Sequence, residues 1–83
     1  MSLEDDFKNA KERSQSLPAQ PPNVLLKLYG LYKQATAGDV QGKRPGMLDM
    51  RGRAKYDAWS ERSGMTQDAA MESYIKEIET LEG

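Results

Sequence analysis

The sequence predicts an all-α domain of four helices, and three observations carry that prediction. Apolar residues recur at three- and four-residue spacing through most of the chain. No stretch alternates apolar with polar residues as a half-buried strand does. Proline or glycine interrupts the pattern after Leu17, after Ala37 and after Arg62, which leaves four periodic segments. With 83 residues the chain is expected to form one domain, residues 1–83, and such a domain buries only about 60% of its unfolded surface.

The first helix is expected over about residues 2–17. Ser2 with Asp5 approximates a capping box, and Glu4, Asp5 and Asp6 suit the positive end of the helix dipole. Its inward stripe reads Leu3, Phe7, Ala10, Ser14 and Leu17. This stripe is thin, so the helix depends on packing rather than propensity. Pro18, Pro21 and Pro22 then break the chain, and Pro22 suits the first turn of a second helix over 22–37, where its missing N–H costs nothing. Val24, Leu25, Leu28, Leu31 and Ala35 form the apolar band of that helix, and Gly38 stops it.

Gly38 to Asp49 carries three glycines and a proline, which marks a loop. Met47, Leu48 and Met50 near its end predict that it packs down onto the domain. A third helix follows over about 50–62, with Ala54, Ala58, Tyr56 and Trp59 turned inward, closed by Ser63-Gly64. Thr66 caps a fourth helix over about 66–82, whose stripe is Ala70, Met71, Tyr74, Ile75, Ile78 and Leu81.

Composition narrows the function. The chain has no cysteine and no histidine, so a disulfide, a thiolate metal site and a nucleophile paired with histidine are all excluded. The net charge is −1, yet Lys33 to Arg62 holds seven basic residues against four acidic ones, and Ser63 onward holds one against five. A basic middle in an otherwise acidic chain suits a local anionic ligand better than nucleic acid, which usually calls for a broadly basic domain. No apolar run approaches the roughly 20 residues of a membrane span. MSLEDDF also lacks the basic and apolar regions of a signal peptide. These features lead us to expect a cytoplasmic protein with no stable membrane insertion.

The stretch YGLYKQATAGD, Tyr29 to Asp39, concentrates the chemistry. Tyr29, Tyr32 and Lys33 fall at i, i+3 and i+4, so two rings and one ammonium share a helix face. Lys55 and Tyr74, on the third and fourth helices, add a second cation and a third ring. Tyrosines and lysines together suit a nucleotide with phosphates, because bases stack on rings and ammonium groups meet phosphate oxygens. The plainer reading makes the tyrosines half-buried core residues and the lysines ordinary surface charge. Spacing alone leaves both open.

The block YGLYKQATAGD, followed by RPGMLDMRGRAKYDAW and SYIKEIETL, resembles the acyl-CoA-binding protein family over almost the whole chain. That resemblance implies an up-down-down-up four-helix bundle. It also implies a monomer that binds medium- to long-chain fatty acyl-CoA as an intracellular carrier, with no catalysis, cofactor, metal or nucleic acid. By the same resemblance Tyr29, Gly30, Leu31, Tyr32 and Lys33 hold the CoA head group, with Tyr29 near the adenine and Lys33 on the 3′-phosphate. Lys55 is the second phosphate lysine, and Tyr74 lines the same site. Leu25, Leu26, Ala54, Ala10, Lys11, Gln15 and Arg51 are the implied acyl-chain or secondary contacts.

The chain departs from the family pattern mainly in its first helix. Gln15 stands where a phosphate-contacting lysine is often found, and Ser14 where an apolar residue is usual. The connector after it is one residue shorter and richer in proline, and Tyr56 replaces a tryptophan. Two readings from other classes compete: a helical module that takes a protein partner on the basic face, and a nucleic-acid binder. The acidic last helix counts against the second.

Overall fold

The computed structural model describes residues 2–83. Its elements are α1 (Leu3–Ser14), α2 (Pro22–Ala37), α3 (Met50–Ser60) and α4 (Gln67–Glu82), and the described residues contain no strand. Three of the four helix starts carry a side-chain cap. The Asp5 N–H donates to Ser2 Oγ, the Ala69 N–H donates to Thr66 Oγ1, and the Gly52 N–H donates to Asp49 Oδ1. Each satisfies a donor that the first turn would otherwise leave unpaired. α2 begins without a cap and has Pro22 in its first turn instead.

α1 ends three residues earlier than its apolar stripe implies. The Ser14 hydroxyl donates to the Lys11 carbonyl at 2.6 Å, and the N–H groups of Gln15, Ser16 and Leu17 reach back only three residues. A side chain competing for a helix carbonyl weakens the ladder, and Pro18 disfavours helical backbone at Leu17. The helix therefore tightens into turns before the proline. α3 likewise ends at Ser60, and a run of turns carries the chain to Gly64, whose φ of 93° suits glycine.

The core joins α1, α2 and α4 through Phe7, Ala10, Leu28, Leu31, Ala35, Ala70, Tyr74 and Ile78. α4 packs against both α1 and α2, and α3 packs against α2. Arg13 pairs with Glu82 near the ends of α1 and α4, so those two helices run the same way. Lys27 pairs with Glu77, while Gln67 near the start of α4 donates to the Ala35 carbonyl near the end of α2, so α2 runs opposite to α4. Lys55 lies by Tyr29, and Trp59 reaches Gly38, which sets α3 in the same sense as α2. The order is up-down-down-up.

Two apolar expectations need correction. Leu25 is exposed rather than part of the inward band, because α2 turns that flank towards an open groove. Met47, Leu48 and Met50 do not pack down; all three stand in solvent. Polar contacts hold the loop instead. Trp59 Nε1–H donates to the Gly38 carbonyl at 2.7 Å, and the Tyr56 hydroxyl donates to the Gly42 carbonyl at 3.0 Å. Arg44 donates two hydrogen bonds to the Asp57 carboxylate, at 2.9 and 2.7 Å.

Candidate functional site

α1 and α2 both pack on α4, and a groove of about 430 Å³ opens between them. Tyr74 of α4 lines it beneath Tyr29, Tyr32, Leu25 and Leu28 of α2. Lys11 and Ser14 of α1 form the facing wall, and Leu17, Pro18, Ala19 and Gln20 of the connector also line it. The wall residues owe their placement to α1 stopping at Ser14, which swings the proline-rich segment alongside the groove.

A cluster of three rings, two of them lining the groove and Phe7 in the core, underlies it. Phe7 stacks on Tyr32 with centroids 5.8 Å apart, and meets Tyr74 edge-on at 5.1 Å. These are geometries that aromatic pairs favour. Phe7 and Tyr74 are buried, while Tyr32 is half-buried. The Lys11 ammonium donates to the Tyr32 hydroxyl at 3.0 Å and lies 4.3 Å from the ring centroid. The Tyr32 hydroxyl holds the Lys11 ammonium above its ordinary pKa, through the hydrogen bond first and charge second. One lysine therefore spans the groove from α1 to α2.

The other cations rest on aromatic faces. Lys55 Nζ lies 5.5 Å from the centroid of Tyr29, and Lys33 Nζ lies 4.8 Å from that of Trp59. Both positions suit a cation–π contact, and both leave the ammonium free to meet an anion. Together they spread positive charge along the α2–α3 side of Tyr29.

The residues singled out from the sequence fall into three settings. Lys11, Leu25, Tyr29, Tyr32 and Tyr74 share the groove, with Lys55 at its edge on Tyr29 and Lys33 farther along α2. Leu26 and Ala54 lie in a second depression of about 470 Å³ between α2 and α3, with Asp57 and Ala58. Gly30, Leu31 and Ala10 are buried in packing contacts. A Cβ on Gly30 would meet the Ala58 carbonyl oxygen, so this glycine lets α3 approach α2 closely. Gln15, the residue closing α1, and Arg51, in the first turn of α3, are exposed and line neither depression.

Sequence reasoning missed the connector wall, Pro18, Ala19 and Gln20, because nothing in a proline-rich linker says which way it folds. It also missed Trp59 as the partner of Lys33. The spacing Lys55–Trp59, i to i+4 on one helix, was the available signal. Among the described residues no group of three acidic side chains is placed to hold a metal ion.

Fold and groove define a compact four-helix domain with one aromatic cleft edged by lysines. The chain belongs to the acyl-CoA-binding protein family: that family's model, described as "Acyl CoA binding protein", matches residues 4–78. It is 49% identical to an acyl-CoA-binding protein of Brassica napus over 82 residues, which covers 98% of this chain and 89% of the relative. The crystal structure of Oryza sativa acyl-CoA-binding protein 2 superposes with a TM-score of 0.94 at 38% identity, covering 96% of this chain and 90% of the other. The crystal structure of ACBP from Moniliophthora perniciosa gives a TM-score of 0.83 at 38% identity, covering 93% and 76%.

Proposed function

We propose that this protein binds medium- to long-chain fatty acyl-CoA thioesters without transforming them, as an intracellular pool former and carrier. The observation that carries the reading is the groove between α1 and α2, aromatic inside and bordered by Lys11 and Lys55. A CoA thioester asks for this combination: a ring for the adenine, ammonium groups for the phosphates and an apolar path for the tail. Tyr29 then stacks on the base, Lys33 and Lys55 meet phosphates, and Tyr32 and Tyr74 line the head-group site. The protein acts as a monomer in the cytoplasm. Its family is described by binding, and the residue set here has neither histidine nor cysteine.

The energetics are consistent with tight binding. Burial yields about 0.8 kcal/mol per CH₂, so ten shielded methylenes contribute roughly 8 kcal/mol. Stacking and phosphate contacts add to this, and the cost of ordering a flexible ligand subtracts. Nanomolar affinity, about −12 kcal/mol, is within that range. Free CoA keeps the head-group contacts and loses the tail.

Calorimetric titration of lipid-stripped protein with hexadecanoyl-CoA and with free CoA tests the reading. The expected result is tight one-to-one binding of the thioester and much weaker binding of CoA. Lys33→Ala and Tyr29→Ala should each weaken both. Absence of heat with hexadecanoyl-CoA overturns the function, and unchanged affinities in both variants displace the head-group site.

A further inference from the structure

We infer that the tip formed by the end of the Gly38–Asp49 loop and the start of α3 is a docking surface for anionic lipid bilayers. Among the described residues, three of the four exposed large apolar side chains are here: Met47 at 81% exposure, Met50 at 77% and Leu48 fully exposed. Met47 and Met50 share a surface concavity of about 470 Å³ with Arg44, Arg53, Ala54 and Asp57. Exposed methionine and leucine grouped in this way mark an interaction site rather than ordinary surface.

The exposure is built in. Arg44 clamps Asp57 with two hydrogen bonds, Tyr56 holds the Gly42 carbonyl, and the Asp49 N–H closes a turn on the Gly46 carbonyl. The loop is thus held while its apolar side chains point away from the core.

Charge selects the occupant. Between residues 43 and 57, five cations (Lys43, Arg44, Arg51, Arg53, Lys55) stand against two carboxylates (Asp49, Asp57), a local balance of five less two, +3, on a chain of net −1. Among the described residues Lys43, Arg51 and Arg53 enter no ion pair. Exposed apolar side chains with unpaired cations in the same stretch of chain match an anionic headgroup layer over hydrocarbon. A second copy of the chain is disfavoured, because pairing two such tips sets like charges face to face. The acidic remainder of the molecule is repelled by the same bilayer, so contact through the tip is also oriented. No helix inserts; the contact is peripheral and reversible. Ala54 lines both this concavity and the α2–α3 depression that holds Leu26, so the docked tip adjoins a second apolar surface of the domain.

The test is co-sedimentation of the full chain, without acyl-CoA, with phosphatidylcholine vesicles and with phosphatidylcholine–phosphatidylserine vesicles. Binding is expected only to the second, weakening as salt rises. Leu48→Ser should reduce it about tenfold, and the pair Lys43→Gln with Arg53→Gln about 30-fold, the factor two cations near an anionic surface supply. Leu48→Ser should retain its hexadecanoyl-CoA titration, which shows that it is folded and separates this result from the ligand reading. Equal binding to both vesicle types, no binding to either, or unchanged binding in the variants overturns the proposal. A wild-type dimer abolished by Leu48→Ser, with no vesicle binding, also overturns it.

Discussion

At the scale of single residues, Asp39 and Gln34 tie the long loop to the bundle. Gln34 is fully buried, and its amide donates to Asp39 Oδ1 at 2.7 Å and to the Met65 carbonyl at 2.9 Å. The same Asp39 oxygen accepts the Gly64 N–H at 2.9 Å. The Gly64 N–H first, and the Gln34 amide second, hold the Asp39 carboxyl below its ordinary pKa of 3.8. Asp57 is lowered in the same direction, chiefly by its hydrogen bonds from Arg44. A carboxyl whose folded pKa is depressed stabilises the fold above its unfolded pKa, and that contribution is lost as pH falls through the folded value. Stability should therefore decline on acidification below about 3.8, and the double variant Asp39→Asn with Asp57→Asn should decline less steeply. Urea midpoints from neutral pH downward check this; identical slopes would count against both carboxylates. Neither anchor was legible from sequence, because QATAGD gives no sign that a glutamine is buried or that Gly64, 25 residues on, is its neighbour's partner.

At the scale of elements, the close pairing of α2 with α3 rests on Gly30. Alanine is the better helix former by about 1 kcal/mol, so propensity alone predicts that Gly30→Ala stabilises α2. An added Cβ, however, would overlap the backbone carbonyl of Ala58. Backbone does not move aside as a flexible side chain does, so α3 must shift. We expect Gly30→Ala to destabilise the domain by about 1–3 kcal/mol, measured by denaturant unfolding; a gain in stability would show that the helices are farther apart. The sequence located all four helices and the caps at Ser2 and Thr66, because these are local properties. It extended α1 to Leu17 because periodicity does not register that the Ser14 hydroxyl takes the Lys11 carbonyl and that Pro18 disfavours a helical Leu17.

Over the whole molecule, α4 is the helix on which the groove depends. It holds α1 and α2 on either side, and its Tyr74 lines the gap that remains. Ile78 is fully buried in the core cluster, one turn beyond Tyr74. Ile78→Ala should cost about 2–5 kcal/mol and lower the denaturation midpoint accordingly. A melting curve unchanged from wild type would remove Ile78 from the core. The loop tip belongs to this scale too, since its apolar side chains stay exposed only because distant polar partners hold the loop in place.

From its sequence alone the chain determined four helices, the caps at Ser2 and Thr66, the lack of any histidine-paired nucleophile and the tyrosine–lysine face of α2, since each follows from periodicity, composition or spacing. Only the tertiary structure decided that Lys11 bridges to Tyr32, that Leu26 and Ala54 lie apart from the tyrosine groove, and that Met47, Leu48 and Met50 face solvent. Those outcomes depend on which faces meet after α4 has taken both neighbours and where polar tethers hold a loop. Such long-range pairings leave no period in the sequence to read.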